Sequence, residues 1–331
     1  MSRFIGQSVD RPPNYCIVMG FAAKEVNATY KEFATDYRVL VRGGMHCCEK
    51  YGIDVLSVIS DPMREAEGFG AQCIIEGDQV PHSASPLLKS ISDIGRLRIP
   101  ASGKRMDDRL EAVRLYKENA GNEYPILGWV EGPIAESCML RGMEAMFGDL
   151  IDEPEAAENL MDICTEQAIN FALAQINCGA DIIGVGDAAA SLIGPTLYNE
   201  FVLPCQKRLF SAIHKAGAKV KLHICGNITS ILPYIAETGA DMVDIDHMVD
   251  FGTSITLLGE KNISVCGNFD PVEVLLRGNV STVQNAVSDC LNVASETTAI
   301  AAGCEVPRNT PKENMLAVYD SLSAATKRRK I

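Results

Sequence analysis

The sequence has no apolar run approaching the roughly 20 residues that a membrane-spanning helix needs. Residues 1–14 also lack the apolar segment of a secretory signal peptide. Internal repeats and low-complexity segments are missing, while apolar residues make up 47% of the chain. We therefore expect a folded protein of the cytoplasm that does not bind a membrane.

Positive charge is also scarce. The chain has 30 lysines and arginines against 43 aspartates and glutamates, which gives a formal net charge of −13. Because the phosphates of a nucleic acid would be repelled, we do not expect nucleic-acid binding. The basic run Lys327-Arg328-Arg329-Lys330 is interpreted as a solvated tail.

The cysteines show no regular spacing. Twelve of them are scattered over 331 residues, which argues against the disulfide framework of a small secreted protein. We expect a reducing compartment in which most cysteines serve as small buried apolar residues. Cys16, Cys73, Cys164 and Cys178 are predicted to be of this kind.

Short β-branched segments alternate with helix-length amphipathic stretches, such as 155–176 and 229–237, over most of the chain. Eight segments are predicted as strands: 16–20, 55–60, 125–130, 181–186, 219–225, 242–246, 264–268 and 297–302. This alternation predicts an α/β fold, a TIM-type (β/α)8 barrel, with residues 1–331 as one domain. We also expect an N-terminal arm up to about Pro13 and an insertion near the barrel mouth within 61–124.

Polar side chains stand at or just beyond the carboxyl ends of the predicted strands. They are Asp61, Glu131, Asp187, His223, Cys225, Asp246, Asn268, Asp270 and Cys304. In a parallel barrel these strand ends converge on one face, where the active site is built. The sequence therefore predicts one functional site assembled from distant segments.

The most specific of these side chains are His223 and Cys225, in His223-Ile-Cys-Gly-Asn227, and Cys304, in Ala302-Gly-Cys-Glu305. His223 and Cys225 are two residues apart on one predicted strand, so their side chains point the same way. An imidazole and two thiolates form a ligand set that zinc accepts, with a fourth position open for a substrate. We therefore predict a catalytic zinc site.

Zinc held by two thiolates and one imidazole carries no net charge. A substrate thiol at such a site loses its proton while its sulfur stays rich in electrons, which favours alkyl transfer to sulfur. Zinc can equally act as a Lewis acid on an ether or phenol oxygen and ease the departure of its methyl group. The ligand set alone does not choose between these reactions.

Two aspartates are predicted as catalytic residues, each with an alternative role. Asp246 is either a displaceable fourth zinc ligand or a carboxylate that orients His223. Asp244 and His247 are close enough in sequence to take that role instead. Asp187 either binds substrate or cofactor beyond its strand or caps the next helix.

Residues 180–247, with Leu203-Pro204, the His223 motif and Glu237-Thr-Gly-Ala-Asp241, resemble the uroporphyrinogen decarboxylase superfamily. Within it they are most similar to the zinc-dependent methylcobamide methyltransferase branch. Matching motifs elsewhere are Gly132-Pro133, Gly267-Asn-Phe-Asp-Pro271, Gly303-Cys304 and the segment 307–314. The resemblance spans nearly the whole chain from about Arg11.

The resemblance implies that His223, Cys225 and Cys304 are zinc ligands and that Asp246 is a displaceable one. It implies methyl transfer between a corrinoid, carried by a separate small protein that caps the barrel mouth, and a small substrate. We expect this substrate to be a thiol such as coenzyme M. Asn227, Asn268 and Asp270 are expected to bind the corrinoid, and a homodimer is one oligomeric state open to the protein.

Three other functions stay open. A methoxy or methylamine compound would deliver its methyl group to the corrinoid protein in the opposite direction. A non-catalytic protein that binds zinc or a corrinoid would keep the same scaffold. Uroporphyrinogen decarboxylase is disfavoured, because Arg11-Pro12-Pro13 is followed at 16–24 by no arginine that would clamp a polyanionic substrate.

Overall fold

Parallel strands form a curled sheet in the computed structural model, which describes residues 1, 9–100 and 103–328. The strands in the described residues are β1 (Leu56–Ser57), β2 (Cys73–Ile74), β3 (His82–Ser83), β4 (Ile126–Glu131), β5 (Ile182–Gly186), β6 (Lys219–Ile224), β7 (Met242–Ile245), β8 (Ser264–Phe269) and β9 (Ala299–Ala302). Apart from the antiparallel pair β2–β3, they follow the order β1-β4-β5-β6-β7-β8-β9, and all neighbours in that sheet are parallel. All residues of β4, β5, β7, β8 and β9 are buried, as expected for strands covered on both faces.

Helices cover the outside of this sheet. In the described residues they are α1 (Gly20–Glu25), α2 (Tyr30–Thr35), α3 (Tyr37–Tyr51), α4 (Arg64–Phe69), α5 (Lys104–Ala120), α6 (Pro133–Arg141), α7 (Met143–Asp152), α8 (Pro154–Cys178), α9 (Gly194–Leu197), α10 (Leu203–Lys215), α11 (Leu232–Ile235), α12 (Phe251–Gly259), α13 (Val280–Val293) and α14 (Lys312–Arg328). The longest, α8, begins with a proline and is followed by Gly179, whose φ of 114° suits a residue without a Cβ atom. It packs against β4, α5, α6 and α10.

The prediction of a strand at 16–20 is wrong. Gly20 already begins α1, and the pairing falls earlier, at Asn14, which forms a parallel bridge with Ile300 of β9. The Asn14 carbonyl also accepts a hydrogen bond from the Asp54 backbone N–H (2.9 Å), just before β1. A bridge at Asn14 thus joins the two edges of the sheet. The predicted α/β fold of the TIM-barrel type is confirmed, with seven strands in the described part of its sheet.

The insertion near the barrel mouth occupies the first part of the predicted range 61–124. Residues 61–103 contain the β2–β3 pair and a 3₁₀ helix at Ile91–Arg96. Beyond them, α5 packs on α3, α8 and β4 and is therefore one of the covering helices of the sheet. Most of the predicted arm (residues 2–8) and two residues of the basic tail, 329 and 330, lie outside the described residues.

Two further expectations concern the burial of the cysteines and the absence of a membrane-spanning helix. Cys16 and Cys164 are buried, as predicted, whereas Cys73 and Cys178 are partly exposed. Among the helices in the described ranges, none combines the length and the apolar character needed to span a bilayer.

Candidate metal centre

The carboxyl ends of β6 and β9 bring His223, Cys225 and Cys304 together, as the sequence predicted. One donor atom of each lies within 4.8 Å of the other two. His223 Nε2 is 3.1 Å from Cys225 Sγ, and the two sulfurs are 3.6 Å apart. A tetrahedral zinc ion with ordinary zinc–sulfur bonds would separate two sulfurs by about 3.8 Å, so the donors fit zinc in type and in spacing.

Two glycines allow the backbone to place these cysteines in the cluster. Gly226 follows Cys225 with a φ of 83°, which lets the chain turn sharply at the end of β6. A Cβ atom at Gly303 would lie 2.4 Å from the backbone nitrogen of His247, so the loop after β9 approaches the loop after β7 only because residue 303 is glycine. Cys304 is the next residue along that loop.

Asp244 orients His223 from the neighbouring strand. The two residues are direct partners in the register of β6 and β7, and His223 Nδ1 lies 3.2 Å from Asp244 Oδ2. The buried Lys221 ammonium forms an ion pair with the same carboxylate. Burial lowers the pKa of His223, but its contacts with Asp244 and Cys304 outweigh burial and raise it to about 9. With Nδ1 facing Asp244, Nε2 is the nitrogen that faces the cysteines.

Cys304 is the more acidic thiol of the cysteine pair. The hydrogen bond from Cys225 outweighs burial and, with a further one from His223, lowers the pKa of Cys304 to about 4. The same pairing, together with burial, raises the pKa of Cys225. These contacts favour loss of the Cys304 proton, and a metal cation would favour loss of the second proton.

Asp246 positions the loop that carries Cys225. Its Oδ2 accepts a hydrogen bond from the Gly226 backbone N–H (3.0 Å), and its Oδ1 accepts one from Met248 N–H (3.2 Å). Its carboxylate does not belong to the cluster formed by His223, Cys225 and Cys304 among the described residues. A catalytic role for Asp246 stays a prediction.

The three residues expected to bind a corrinoid have local partners. Asn227 is exposed and accepts a hydrogen bond from a backbone N–H two residues later (3.0 Å). Asn268 is buried and donates to the backbone carbonyls of Asp246 (3.2 Å) and Val249 (2.7 Å). Asp270 Oδ1 accepts hydrogen bonds from backbone N–H groups of the next helical turn, and Asp270 Oδ2 lies 3.3 Å from Nε2 of His247. Their contact with a corrinoid stays a prediction.

Asp187 is fully buried behind the site. Its Oδ1 accepts a hydrogen bond from Ala135 N–H in the first turn of α6, and its Oδ2 accepts one from Gln206, both at 2.8 Å. Burial raises the pKa of Asp187 to about 6. Asp187 thus caps α6, which precedes it in sequence, and its predicted contact with substrate stays untested.

A cavity of about 170 Å³ opens beside the cluster. Its walls include apolar side chains from the N-terminal segment, the insertion and the strand ends: Ile17, Met19, Ile59, Pro62, Val80 and Trp129. The polar part of the wall consists of Asp61, Glu131, Glu305, His223, Cys225 and Cys304.

Trp129 and Glu305 are cavity residues that the sequence reasoning missed. Trp129 stands two residues before Glu131 on β4, so both face the same side, and its Nε1–H donates to Glu131 Oε1 (3.2 Å). Its ring has room because a Cβ atom at Gly184 on β5 would lie 2.2 Å from it. Glu305 directly follows Cys304, and the signal that would have revealed it is that adjacency alone.

The sequence model of the uroporphyrinogen decarboxylase (URO-D) family matches residues 1–324. The chain belongs to this family. Among its relatives, a methylcobamide:CoM methyltransferase from Methanosarcina acetivorans is 30% identical over 317 residues, which cover 93% of this chain and 92% of that protein. A uroporphyrinogen decarboxylase from Parasynechococcus marenigrum is 25% identical and covers 96% and 93% of the two chains.

The fold is shared with a solved structure. A methyltransferase from Methanosarcina mazei superposes with a TM-score of 0.89 at 23% identity, over 100% of this chain and 97% of that one. The likeness confirms the barrel fold inferred from the strand pattern.

Proposed function

We propose that this protein is a zinc-dependent methyltransferase that moves a methyl group from a corrinoid carrier protein to a small thiol. The observation that carries the proposal is the cluster of His223, Cys225 and Cys304, which opens onto a cavity at the carboxyl end of the barrel. A relative that is 30% identical over nearly the full length is named a methylcobamide:CoM methyltransferase, where CoM is the thiol coenzyme M.

His223, Cys225 and Cys304 would hold the zinc ion. Bound there, zinc would lower the pKa of a thiol in the cavity and keep its sulfur nucleophilic at neutral pH. The neighbouring residues prepare the site: Asp244 holds the imidazole in place, and Lys221 balances the charge of Asp244. The apolar cavity wall, including Trp129, excludes water from the sulfur that accepts the methyl group.

The corrinoid carrier would dock over the open end of the barrel. Three large apolar side chains stand exposed around this opening: Val80 of the insertion (42% exposed), Leu192 after β5 (62%) and Met248 after β7 (58%). Exposed apolar side chains grouped at one site are typical of surfaces that bind another protein. Val80 also lines the cavity, so a protein seated on this rim would close it.

Metal analysis tests the proposal. We expect about one zinc ion per chain, and its loss in His223→Ala and Cys304→Ala with the circular dichroism spectrum unchanged. Cys178→Ala is the matched control, because Cys178 ends α8 outside the cluster, and it should keep its zinc.

Methyl transfer is then followed through the cobalt spectrum. Adding a small thiol to the zinc-loaded protein and a methylated corrinoid carrier should remove the absorbance of methyl-cobalt. Full activity in protein that contains no stoichiometric zinc would overturn the mechanism. If methyl-cobalt appears from a methoxy or methylamine compound and no methyl group is transferred to thiols, the proposed direction of methyl transfer is wrong.

A further inference from the structure

The polar wall of the cavity is acidic. Apart from the three metal donors, its titratable residues are Asp61, Glu131 and Glu305, and no lysine or arginine of the described residues lines it. Glu131 is bound through one oxygen only: Oε1 accepts hydrogen bonds from Trp129 and Arg64, both at 3.2 Å. Among the described residues no hydrogen bond reaches Oε2, so this oxygen is available to a bound molecule.

Two arginines contact the carboxylates of this wall, and both are occupied by ion pairs. The Arg64 guanidinium is fully buried and lies 3.2 Å from Glu131 and 3.5 Å from Glu65. Arg105 is 7% exposed and pairs with Asp61 (2.6 Å) and Glu67 (2.9 Å). Each guanidinium thus has at least two carboxylates around it, and neither offers a free charge to a ligand.

Among the described residues, Lys221 is another cation close to the cluster, and it is also occupied. Lys221 lies on β6 two residues before His223, is 1% exposed, and pairs with Asp244 inside the barrel. An anionic tail on the substrate would therefore enter a small, partly apolar cavity without a balancing charge.

We infer that the thiol acceptor carries no negative charge and that its tail ends in a hydroxyl or ammonium group bound by Glu131. This inference rests on the proposed function and narrows its substrate. Coenzyme M itself, whose tail is a sulfonate, would be a poor acceptor. Even when protonated, Glu131 offers a sulfonate one neutral donor and no opposite charge.

Three thiols with the same two-carbon skeleton test the inference: coenzyme M (sulfonate tail), 2-mercaptoethanol (hydroxyl tail) and cysteamine (ammonium tail). Their binding to the zinc-loaded protein is measured by calorimetry, and their methylation by loss of methyl-cobalt absorbance. We expect coenzyme M to bind about tenfold more weakly than each of the other two, and to show a correspondingly lower kcat/KM. Binding of coenzyme M as tight as that of either would overturn the inference.

The same measurements separate this inference from the proposed function. Thiols that bind in the expected order but accept no methyl group would contradict the proposed function and leave the tail preference standing. Failure of all three thiols to bind would overturn both.

The substitution Glu131→Gln tests whether Glu131 is the residue that selects the tail of the thiol. Burial raises the pKa of Glu131 to about 8, and an ammonium tail beside it would favour the carboxylate form. The substitution keeps the shape of the side chain and removes its ability to ionise, so cysteamine should lose most of its advantage over coenzyme M, chiefly through KM. Glu296→Gln, at an exposed position near the start of β9, is the matched control and should keep the wild-type order. If the ratio of cysteamine affinity to coenzyme M affinity is the same in Glu131→Gln as in the wild type, Glu131 is not the residue that selects the tail.

Discussion

Asp244 lies beside His223 Nδ1, so Nε2 is the nitrogen that faces the two cysteines. At the scale of single residues this contact could not be read from the sequence, because Asp244, Asp246 and His247 all stand near the end of one strand. The choice depends on the register between β6 and β7, which places His223 beside Asp244. Register depends on the packing of the whole sheet, so neither strand alone specifies which residue of β7 lies beside His223.

Replacing Asp244 should weaken metal binding. Asp244→Asn removes the charge that holds His223 Nδ1, so we expect the affinity for zinc to fall about 10- to 100-fold. Competition with a chromogenic chelator measures this loss. Because Asp244 also balances the buried Lys221, the thermal midpoint should fall too and is recorded beside the affinity.

Asp246→Asn is the matched comparison for Asp244→Asn. Asp246 binds two backbone N–H groups of neighbouring loops, so its loss should affect zinc affinity less than the loss of Asp244. An equal or larger effect would show that Asp246 contacts the metal.

At the scale of helices and strands, the sequence predicted long, regular elements best. The helix expected at 155–176 is present as α8, and the predicted strands from 125–130 onward each overlap one of β4 to β9. The helix expected at 229–237 is reduced to α11, a single turn, because its first residues form turns held by Asn227 and Ile228. The segment 16–20 has the composition of a strand, but it crosses the barrel opening, where Ile17 and Met19 line the cavity.

Glu25, at the end of α1, joins three helices. Its buried carboxylate accepts hydrogen bonds from Tyr51 and Lys50 of α3 and pairs with Lys312 of α14 (3.1 Å). Burial alone would raise its pKa, but these three partners lower it to about 2 from the usual 4.5. The paired carboxylate therefore stabilises the fold above about pH 5, and this stabilisation is lost as the pH falls towards 2.

Glu25→Gln should lower the free energy of unfolding by about 2 kcal/mol at pH 7. The difference from wild type should shrink as the pH falls from 5 to 3, since the wild-type carboxylate loses its advantage in that range. Urea unfolding at several pH values measures it. Glu273→Gln, in an exposed pair with Arg277, is the control and should change stability by less than about 0.5 kcal/mol. A deficit that stays constant down to pH 3 would contradict the role of Glu25.

At the scale of the whole molecule, the barrel places the candidate centre and the exposed apolar rim at the same end. Leu192→Asp should raise the KM for the corrinoid carrier about tenfold, because it puts a charge into the expected contact surface. Zinc content and methyl transfer from free methylcobamide should not change. Kinetics at varied carrier concentration measure the effect.

Ala216→Asp is the control for Leu192→Asp. It adds the same charge at an exposed position before β6, at the opposite end of the barrel. Equal effects of the two substitutions would show that net charge, and not docking on the rim, controls the KM.

The fold class and the three candidate metal donors follow from local patterns. The alternation of apolar strands and amphipathic helices specifies a parallel barrel, and a barrel brings strand ends to one face whatever lies between them. That rule is sufficient to unite Cys304 with His223 and Cys225 across about eighty residues of chain.

The partners of those donors depend on three-dimensional packing. The pairing of Asp244 with His223, the occupation of Arg64 and Arg105 by carboxylates, and the closure of the sheet at Asn14 all join residues of different segments. Their physical cause is register and side-chain packing, which the local sequence does not encode. For this reason the acidic wall of the cavity forms only when the protein folds, and the sequence alone does not reveal it.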